Sequence, residues 1–379
     1  MTNTLIIGAS LSGLASAACL QQQDLDYCII EKHDRIVAPW HTHYDRLHLH
    51  TPRNSSHLPH RRFAATIPAY PSRDQVIEYA EEYQREFKIE PIFNTEAVRV
   101  SKIDEGWLTE TTRESYRSRY IIMATGAFSK PLPVDFPGLP TFPGPVLHSS
   151  QYKTGESYRG RKVLVVGFGN SACEIAIDLY EQGAFPTMAV RSPVNIVPRD
   201  IFGMPIVQLS RLLDILPPAL ADRLSRPLVR GIIGDIERLD LKKMPYGPLE
   251  QIRRDMKAPI LDIGVVSHIK KGHIAIRDNI RQISGNSIRF KCGKEEDFDA
   301  IVAAIGFYRD DTAILKVDKS RFDDLRAPAR KQKYFGKDGL YFCGYWISPT
   351  GQIREIAKDA RLIARHIARD RSKNISSSQ

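Results

Sequence analysis

TLIIGASLSGLASAACLQQQ, residues 4–23, followed by DYCIIEK, residues 26–32, is the stretch that decides the fold class. It consists of an apolar run, a glycine-containing turn, a helical pattern and a second apolar run, which together predict a strand–turn–helix–strand unit. Neither apolar run alternates with polar residues, so both strands are expected to be parallel and buried on both faces of a sheet. The unit therefore predicts an α/β protein with a Rossmann-like domain.

The turn of this unit contains Gly8, Ser10 and Gly13, at the spacing of the dinucleotide-binding fingerprint. In that fingerprint the first glycine permits the turn, the middle residue lets a pyrophosphate approach the backbone, and the third lets the helix pack closely on the strand. Glu31 follows the second apolar run, 23 residues after Gly8. A carboxylate there accepts hydrogen bonds from a ribose 2′-OH and repels a 2′-phosphate. The sequence thus favours FAD or NAD at this site; the alternative is a helix that merely packs tightly on a strand.

The same pattern recurs in KVLVVGFGNSACEIAIDLYEQG, residues 162–183, followed by TMAVRS, residues 187–192. Gly167 and Gly169 are followed by Ala172 in the third position of the fingerprint. Arg191 and Ser192 stand where the first unit has its acid. An arginine there favours a phosphorylated ribose, because a charge-assisted hydrogen bond contributes about 1.5–3 kcal/mol. Two sites of opposite charge preference predict FAD at the first and NADPH at the second; the alternative for Arg191 is an ordinary surface arginine.

Length, composition and charge exclude several other classes of protein. The 379 residues are enough for two domains, and 42% hydrophobic with 26% charged residues is typical of a globular protein. The five cysteines are scattered without a Cys-x-x-Cys pair, which argues against a disulfide framework, a metal site or a dithiol redox centre. No apolar run reaches the ~18 residues of a membrane span and no signal peptide is recognisable, so a cytoplasmic protein is expected. The net charge of +10 is spread along the chain, which favours anionic cofactors and substrates over nucleic acid.

The segment FPGPVLHSSQY, residues 142–152, joins the two units and gives a more specific signal. Its Phe142, Gly144, His148 and Tyr152 resemble the identifying sequence of the flavin-containing monooxygenases, the class B flavoprotein monooxygenases. Within that family the chain most resembles the YUCCA branch. The resemblance is carried by APWHTHYDRLHLHTPR (38–53), HSSQYKTGESYRGRKVLVVGFGNSACEIAIDL (148–179), AVRSPVNIVPRDIFG (189–203) and GPLEQIRRDMKAPILDIGVVSHIKKGHIAI (247–276).

Three departures from the family pattern accompany this resemblance. Ser10 replaces a fingerprint glycine and Ile305 replaces a threonine, and both changes bear on how the flavin is seated. The stretch GYWISPTGQIREIAKDA, residues 344–360, differs from the plant sequences, looks more bacterial, and bears on the substrate side of the site.

The resemblance implies that NADPH reduces FAD, that O2 adds at flavin C4a, and that the resulting peroxyflavin transfers oxygen to a small substrate. For the YUCCA branch this implies oxidative decarboxylation of indole-3-pyruvate to indole-3-acetate. Three alternatives remain: N- or S-oxygenation or a Baeyer–Villiger oxidation with the same cofactors, an FAD/NADPH electron-transfer reductase, and a regulatory module that binds dinucleotides without turnover. The cofactors carry the difficult chemistry, so no protein nucleophile and no metal is required.

The candidate site residues are therefore binding and positioning residues. The resemblance aligns His50 with a polar residue beside the flavin and nicotinamide, and makes it the candidate catalytic residue. Arg53 is a candidate for a cofactor phosphate or a carboxylate substrate, and Trp40 for a cover over the flavin. His148 and Tyr152 are expected to be structural links at the joint. The other cofactor-binding candidates lie in small-residue turns after apolar runs: Ala124, Thr125, Gly126, Asn170, Ser171, Ile305, Gly306 and Gly344.

The predicted architecture is two Rossmann-like dinucleotide-binding domains, with the NADPH domain inserted into the FAD domain. The first part of the FAD domain is expected over 1–157, the NADPH domain over 158–288 with a helical insertion at 196–261, and the returning FAD part with a C-terminal helix over 289–379. The Met- and Leu-rich stripe of the insertion is expected to lie in a core. The expected partners are a small-molecule substrate and O2, with neither nucleic acid nor membrane, and the assembly is expected to be a monomer or a homodimer.

Overall fold

The structure is a computed structural model that describes residues 2–126, 130–213, 216–308, 311–317 and 336–377. In chain order the strands of the described residues are β1 (Thr2–Ile7), β2 (Tyr27–Ile30), β3 (Ala97–Ile103), β4 (Gly106–Thr111), β5 (Ser115–Met123), β6 (Lys130–Pro131), β7 (Val146–His148), β8 (Lys162–Val166), β9 (Phe185–Ala189), β10 (Ile196–Pro198), β11 (Asp200–Ile201), β12 (Met204–Pro205), β13 (Ile260–Asp262), β14 (Ala275–Arg277), β15 (Ile280–Ser284), β16 (Ser287–Phe290), β17 (Glu295–Asp297), β18 (Ala300–Ala303), β19 (Phe307–Tyr308), β20 (Leu315–Lys316) and β21 (Leu340–Phe342).

The α-helices of the same residues are α1 (Leu11–Gln21), α2 (Ala38–Thr42), α3 (Arg73–Glu86), α4 (Asn170–Glu181), α5 (Ile206–Leu213), α6 (Pro218–Ile233), α7 (Pro248–Asp255), α8 (Val265–Lys270), α9 (Asp311–Ile314) and α10 (Gln352–Ser377). None of the helices in the described part of the chain is long and apolar enough to cross a bilayer.

The first sheet has the order β2–β1–β5–β4–β3–β20, and β21 also pairs with β5. Strands β2, β1, β5 and β21 run parallel, whereas β3, β4 and β5 form an antiparallel meander. The C-terminal helix α10 packs against α1 on one face of this sheet, as the amphipathic pattern of the chain's end predicts. Both faces of the sheet are covered by buried clusters, which explains why β1 and β5 contain continuous apolar runs.

The second sheet has the order β14–β9–β8–β18–β7, with every pair parallel. One face is covered by α4 and α8, and the other by the small antiparallel sheet β15–β16–β17. The strands come from a segment between β5 and β21 of the first sheet, so one Rossmann-like unit is inserted into the other and the predicted fold class is confirmed. The domain boundaries at 157/158 and 288/289 stay a prediction; β7 and β18 of this sheet come from residues outside 158–288.

The two segments that cross between the sheets pair with each other. Strand β6, which follows β5, forms an antiparallel pair with β19, which follows β18. Leu132 N–H also donates to the carbonyl of Gly306 at 3.1 Å. Both crossing segments are therefore held together at one place, beside the carboxyl ends of the strands.

The insertion between β9 and β14 contains α5, α6 and α7, framed by the parallel pair β10–β13. The expectation that its apolar stripe lies in a core is wrong for α6. Ala221 and Ile233 are buried, but Leu220, Leu224 and Leu228 on the same helix are exposed. The periodicity of this stretch correctly predicts a helix, but it does not predict which part of the apolar face is covered by another element.

Candidate functional site

The first glycine turn lies at the carboxyl edge of the first sheet, between β1 and α1. Gly8 has a φ of +105°, and a Cβ there would lie 2.8 Å from the carbonyl oxygen of Ala124. A Cβ on Gly13 would lie 1.9 Å from the carbonyl oxygen of Gly8, so only glycine allows α1 to pack this closely. Ser10 is the N-cap of α1, yet its hydroxyl caps no N–H group of the helix. The positive end of α1 is therefore open to a phosphate group.

Glu31 follows β2 and is nearly buried beside this turn. Its Oε2 accepts a hydrogen bond from Ala9 N–H at 2.7 Å, and its Oε1 accepts one from His33 N–H at 3.0 Å. These two bonds hold the carboxylate over the backbone of the glycine turn. The charge and the place are those expected for a group that binds ribose hydroxyls.

Two further predicted turns surround the N-terminus of α1. Ala124 N–H donates to the carbonyl of Ile7 at 2.9 Å, which brings the Ala124–Thr125–Gly126 turn beside Gly8. Gly126 has a φ of +85° and open space where a Cβ would be. Gly344, after β21, has a φ of +77°, and a Cβ there would lie 2.3 Å from Ser12 Oγ in the first turn of α1. The structure therefore brings the candidates from β1, β5 and β21 together at one edge.

The second glycine turn repeats this arrangement between β8 and α4. Gly167 has a φ of +125°, and a Cβ there would lie 2.4 Å from the carbonyl oxygen of Ala304, which places the Ala304–Ile305–Gly306 turn beside it. Gly169 is the N-cap of α4, and a Cβ there would have no atom within 4 Å. Asn170 Oδ1 accepts a hydrogen bond from Leu261 N–H at 2.9 Å and so ties the insertion to the turn.

Arg191 and Ser192 are exposed just beyond β9, at the carboxyl edge next to the second turn. No described residue forms an ion pair or hydrogen bond with the Arg191 guanidinium. This position corresponds to that of Glu31 in the first sheet, so the two turns have neighbours of opposite charge. The arrangement fits an unphosphorylated ribose at the first turn and a phosphorylated ribose at the second.

His148 and Tyr152 lie at the joint, and both side chains bond to protein groups. His148 Nε2 donates to the carbonyl of Gly306 at 3.0 Å, and Ser150 N–H lies 3.1 Å from His148 Nδ1. Burial lowers the pKa of His148 below its usual value. Tyr152 donates its hydroxyl to Asp178 Oδ2 at 2.6 Å, and burial together with this carboxylate raises the Tyr152 pKa. These contacts link β7 to the turn after β18 and to α4.

The side chain of His50 is hydrogen-bonded to helix α4 of the second unit. Its Nε2 is hydrogen-bonded to Oε1 of Glu174, whose side chain is only 1% exposed. Glu174 Oε2 has no hydrogen-bond partner among the described residues. The neighbouring Thr51 lies against Gly351 at the start of α10, since a Cβ on that glycine would be 2.9 Å from Thr51 Cγ2. His50 is thus placed between α4 of the second unit and the C-terminal helix of the first.

Apart from Ser171, which was a cofactor-binding candidate, sequence reasoning missed the polar stripe of α4 that bonds to residues 44–50. The stripe consists of Ser171, Glu174, Asp178 and Glu181, at helical spacing. Besides the bond from His50, Ser171 hydrogen-bonds Tyr44, and Arg46 donates two hydrogen bonds to Glu181 at 2.9 and 3.0 Å. Burial, and next the charge of Glu174, raise the pKa of Tyr44. Glu174 and Asp178, two acids at helical spacing in an otherwise apolar helix, were the signal available in the sequence.

Arg53 and Trp40 both contact residues of the first unit. The Arg53 guanidinium donates to the carbonyl of Ile67, and Trp40 packs against the core of the first unit. Arg53 also lines a cavity of about 310 Å³ together with Asn54, His57, Arg62 and Phe63. The guanidinium groups at this cavity can attract an anionic group. No group of three or more potential metal ligands occurs among the described residues.

Known proteins that are similar to this chain indicate its family. Residues 5–199 match the family described as pyridine nucleotide-disulphide oxidoreductase. The chain is 37% identical to indole-3-pyruvate monooxygenase YUCCA6 of Arabidopsis thaliana, over 97% of this chain and 90% of that protein.

Solved structures share the fold at lower identity. A flavin-containing monooxygenase from Stenotrophomonas maltophilia superposes with a TM-score of 0.72 at 19% identity, covering 97% of this chain and 98% of that one. OTEMO, solved as a complex with FAD and NADP, superposes with a TM-score of 0.72 at 16% identity, covering 98% of this chain and 86% of that one. The predicted family is confirmed: the chain belongs to the flavin-dependent monooxygenases, in the group that contains the YUCCA proteins.

Proposed function

We propose that this enzyme binds FAD at the turn between β1 and α1 and NADPH at the turn between β8 and α4, and that it oxidises an aromatic 2-oxo acid with O2. Indole-3-pyruvate is the substrate proposed first, with indole-3-acetate and CO2 as products. The observation that carries this proposal is the 37% identity to YUCCA6 over 97% of the chain. The cytoplasm as its compartment, and a monomer or homodimer as its assembly, stay predictions from the sequence.

The contacts of the two turns support the assignment of cofactors. At the first turn the N-terminus of α1 would bind the pyrophosphate and Glu31 the ribose hydroxyls. At the second turn the N-terminus of α4 would bind the other pyrophosphate and Arg191 the 2′-phosphate. When bound, NADPH and FAD supply the hydride and the oxygen-activating chemistry. The chain's own part is to position both and to exclude water from the joint.

The side chains near the joint support a division of roles. His50, held by Glu174, would be the polar group beside the reactive ends of the two cofactors. His148 and Tyr152 would keep the turn after β18 and helix α4 in place, since both are engaged with protein groups. The cavity next to Arg53 supports an anionic aromatic substrate, because Arg53 and Arg62 can attract a carboxylate.

An FAD/NADPH electron-transfer reductase that works through a dithiol of this chain is disfavoured by the cysteines. No disulfide forms among the five cysteines, all of which lie in the described part of the chain. Burial raises the pKa of Cys173 and Cys343 and raises the pKa of Cys19 to about 12, so these thiols stay protonated and are poor nucleophiles. N- or S-oxygenation and Baeyer–Villiger oxidation use the same cofactors and are separated by their products.

The experiment that tests the proposal is product analysis with the purified flavin-loaded enzyme. The enzyme is incubated with NADPH, O2 and indole-3-pyruvate, and CO2 and indole-3-acetate are measured by mass spectrometry. A thioether, a tertiary amine and a cyclic ketone are offered in parallel. Formation of the acetate supports the proposal. A sulfoxide, N-oxide or lactone without the acetate would keep the family and refute the substrate, and failure of NADPH to bleach the flavin would refute the cofactor pair.

A further inference from the structure

Helix α6 presents an apolar stripe to solvent. Its members are Leu220, Leu224, Leu228 and Ile232, spaced by four residues and exposed by 43%, 60%, 37% and 41%. Residues at this spacing lie along one side of a helix. The rest of α6 packs against β10 and α7, with Ala221 and Ile233 buried. A water-soluble helix normally buries such a stripe, so the exposed one indicates a binding surface.

The hairpin β11–β12, which leads into α5, adds a second apolar feature. Phe202 and Gly203 form its two-residue turn, with φ of +49° and +77°. Positive φ at both turn positions favours Asn-Gly and disfavours a bulky aromatic residue. Phe202 is nevertheless 92% exposed, and Met204 is 50% exposed. Neither turn geometry nor packing within the described chain explains the phenylalanine, so Phe202 is a second exposed apolar feature of the insertion.

The charges around the stripe identify the kind of partner. Arg223, Arg226 and Arg230 are exposed on α6 and form no ion pair with any described residue. The only acid of the helix, Asp222, is buried, and its carboxylate accepts hydrogen bonds from Leu249 N–H at 3.0 Å and Glu250 N–H at 2.9 Å. A second copy of this helix would bring its arginines close to those of the first, and like charges across an interface are unfavourable. A surface that combines hydrocarbon with anionic phosphate complements both the leucines and the arginines.

We propose that the α6 stripe and the β11–β12 hairpin dock on the surface of an anionic lipid bilayer. The helix lies along the surface, with Leu224 and Leu228 at the acyl boundary and the arginines at the level of the phosphates. This differs from the prediction of no membrane partner, which rested on the lack of a spanning segment. Interfacial docking needs no span, and it does not depend on which substrate the enzyme oxidises.

The test is sedimentation of the purified full chain with lipid vesicles. Vesicles of phosphatidylcholine mixed with phosphatidylglycerol should carry the protein down, and vesicles of phosphatidylcholine alone should carry down much less. Raised salt should weaken the binding because it screens the arginines. Leu224→Ser and Leu228→Ser should each lower the partition coefficient about tenfold, and Arg226→Ala with Arg230→Ala about 30-fold.

Two further variants separate docking from folding. Leu362→Ser removes a leucine that is 52% exposed on α10, outside the insertion that contains the stripe, and should leave vesicle binding unchanged. Phe202→Asn places a favoured residue in the turn, so it should keep or raise the melting temperature while lowering vesicle binding. The proposal is wrong if the wild-type chain does not sediment with anionic vesicles, or if Leu362→Ser reduces vesicle binding as much as Leu224→Ser. A concentration-dependent dimer that Leu224→Ser abolishes, without vesicle binding, would instead make the stripe a self-association surface.

Discussion

His50 and Glu174 are hydrogen-bonded across the joint between the two Rossmann-like units, with the imidazole Nε2 against the carboxylate Oε1. Glu174 is one of the most deeply buried acids of the described chain, and its second oxygen has no partner there. Burying an acid without a partner is costly, so the single bond from His50 matters for the stability of the joint. The residue proposed to lie beside the cofactors therefore also holds α4 in place.

Removing His50 should destabilise the protein more than removing a comparable histidine. His50→Ala leaves Glu174 buried without its hydrogen-bond donor, and we expect the free energy of unfolding to fall by about 3 kcal/mol. Glu174→Gln in the same background should restore part of the loss, because the unpaired charge is gone. Urea denaturation of the single and double variants measures both effects. His48→Ala, an exposed histidine two residues earlier, is the control; an equal loss there would show that the pair contributes nothing specific.

Arg191 should determine the choice between NADPH and NADH. Arg191→Ala removes the charge proposed to bind the 2′-phosphate, so the NADPH-over-NADH ratio of kcat/KM should fall about tenfold to a hundredfold. Steady-state kinetics of NADPH and NADH oxidation gives this ratio. Arg161→Ala is the matched control, since Arg161 is exposed at the opposite end of β8 from the glycine turn. An unchanged ratio in Arg191→Ala would refute the assignment.

Two glycines of one turn should respond differently to alanine. Gly169 has a φ of −97° and open space for a Cβ, so Gly169→Ala should change the free energy of unfolding by less than about 0.5 kcal/mol. The new methyl group would occupy the place proposed for the pyrophosphate, so the Kd for NADP should rise at least about tenfold. Gly167→Ala should unfold the domain instead, because its Cβ would clash with the Ala304 carbonyl. Calorimetry and thermal melts separate the two effects, and normal NADP binding by Gly169→Ala would contradict the site.

Local backbone requirements were predictable from the sequence. A Cβ added to Gly8, Gly13 or Gly167 would lie within 3 Å of a carbonyl oxygen. The fingerprint spacing therefore marks positions where the packing of the backbone allows only glycine. The apolar runs, the order of the units and the C-terminal helix follow from patterns that span fewer than about 25 residues each. These features agree with the structure because nearest neighbours along the chain determine them.

Features that depend on distant residues were not predictable in the same way. His50 and Glu174 are 124 residues apart, and no local pattern connects them. Strands β7 and β18 join the second sheet from outside the segment predicted to form it, because strand order is set by tertiary packing. The apolar pattern that includes Leu224 correctly predicts a helix. Which side of α6 other elements cover depends on the whole fold.

His148 should make the stability of the protein depend on pH. Burial lowers its pKa below the ordinary value of 6.5. As the pH falls from about 6.5 toward the folded-state pKa, the unfolded chain therefore binds more protons than the folded one, and stability is lost. The free energy of unfolding should fall between about pH 7.5 and about pH 5.5, by less than ~1.4 kcal/mol per pH unit for this group. His148→Gln can still donate to Gly306 and should show a weaker fall in denaturation curves; an equal fall would place the effect on other histidines.

The cavity beside Arg53 should recognise the carboxylate of the substrate through Arg62. Arg53 is already engaged with the carbonyl of Ile67, whereas no described residue bonds to the exposed Arg62. Arg62→Ala should raise the KM for the 2-oxo acid about tenfold with little change in kcat. The reason is that the charge-assisted bond to the carboxylate is equally strong in the substrate complex and in the transition state, so both lose the same binding energy. The KM for the uncharged methyl ester of the same acid should not change.

Arg61→Ala is the control for this prediction, because Arg61 adjoins Arg62 in sequence but is paired with Glu82 and Glu86. It should lower stability slightly and leave both KM values alone, since those ion pairs are partly exposed. If Arg62→Ala raised the KM of acid and ester equally, the arginine would act on the shape of the cavity and not on a charge. If neither KM changed, the carboxylate would have to bind elsewhere, and this cavity would not be the substrate site.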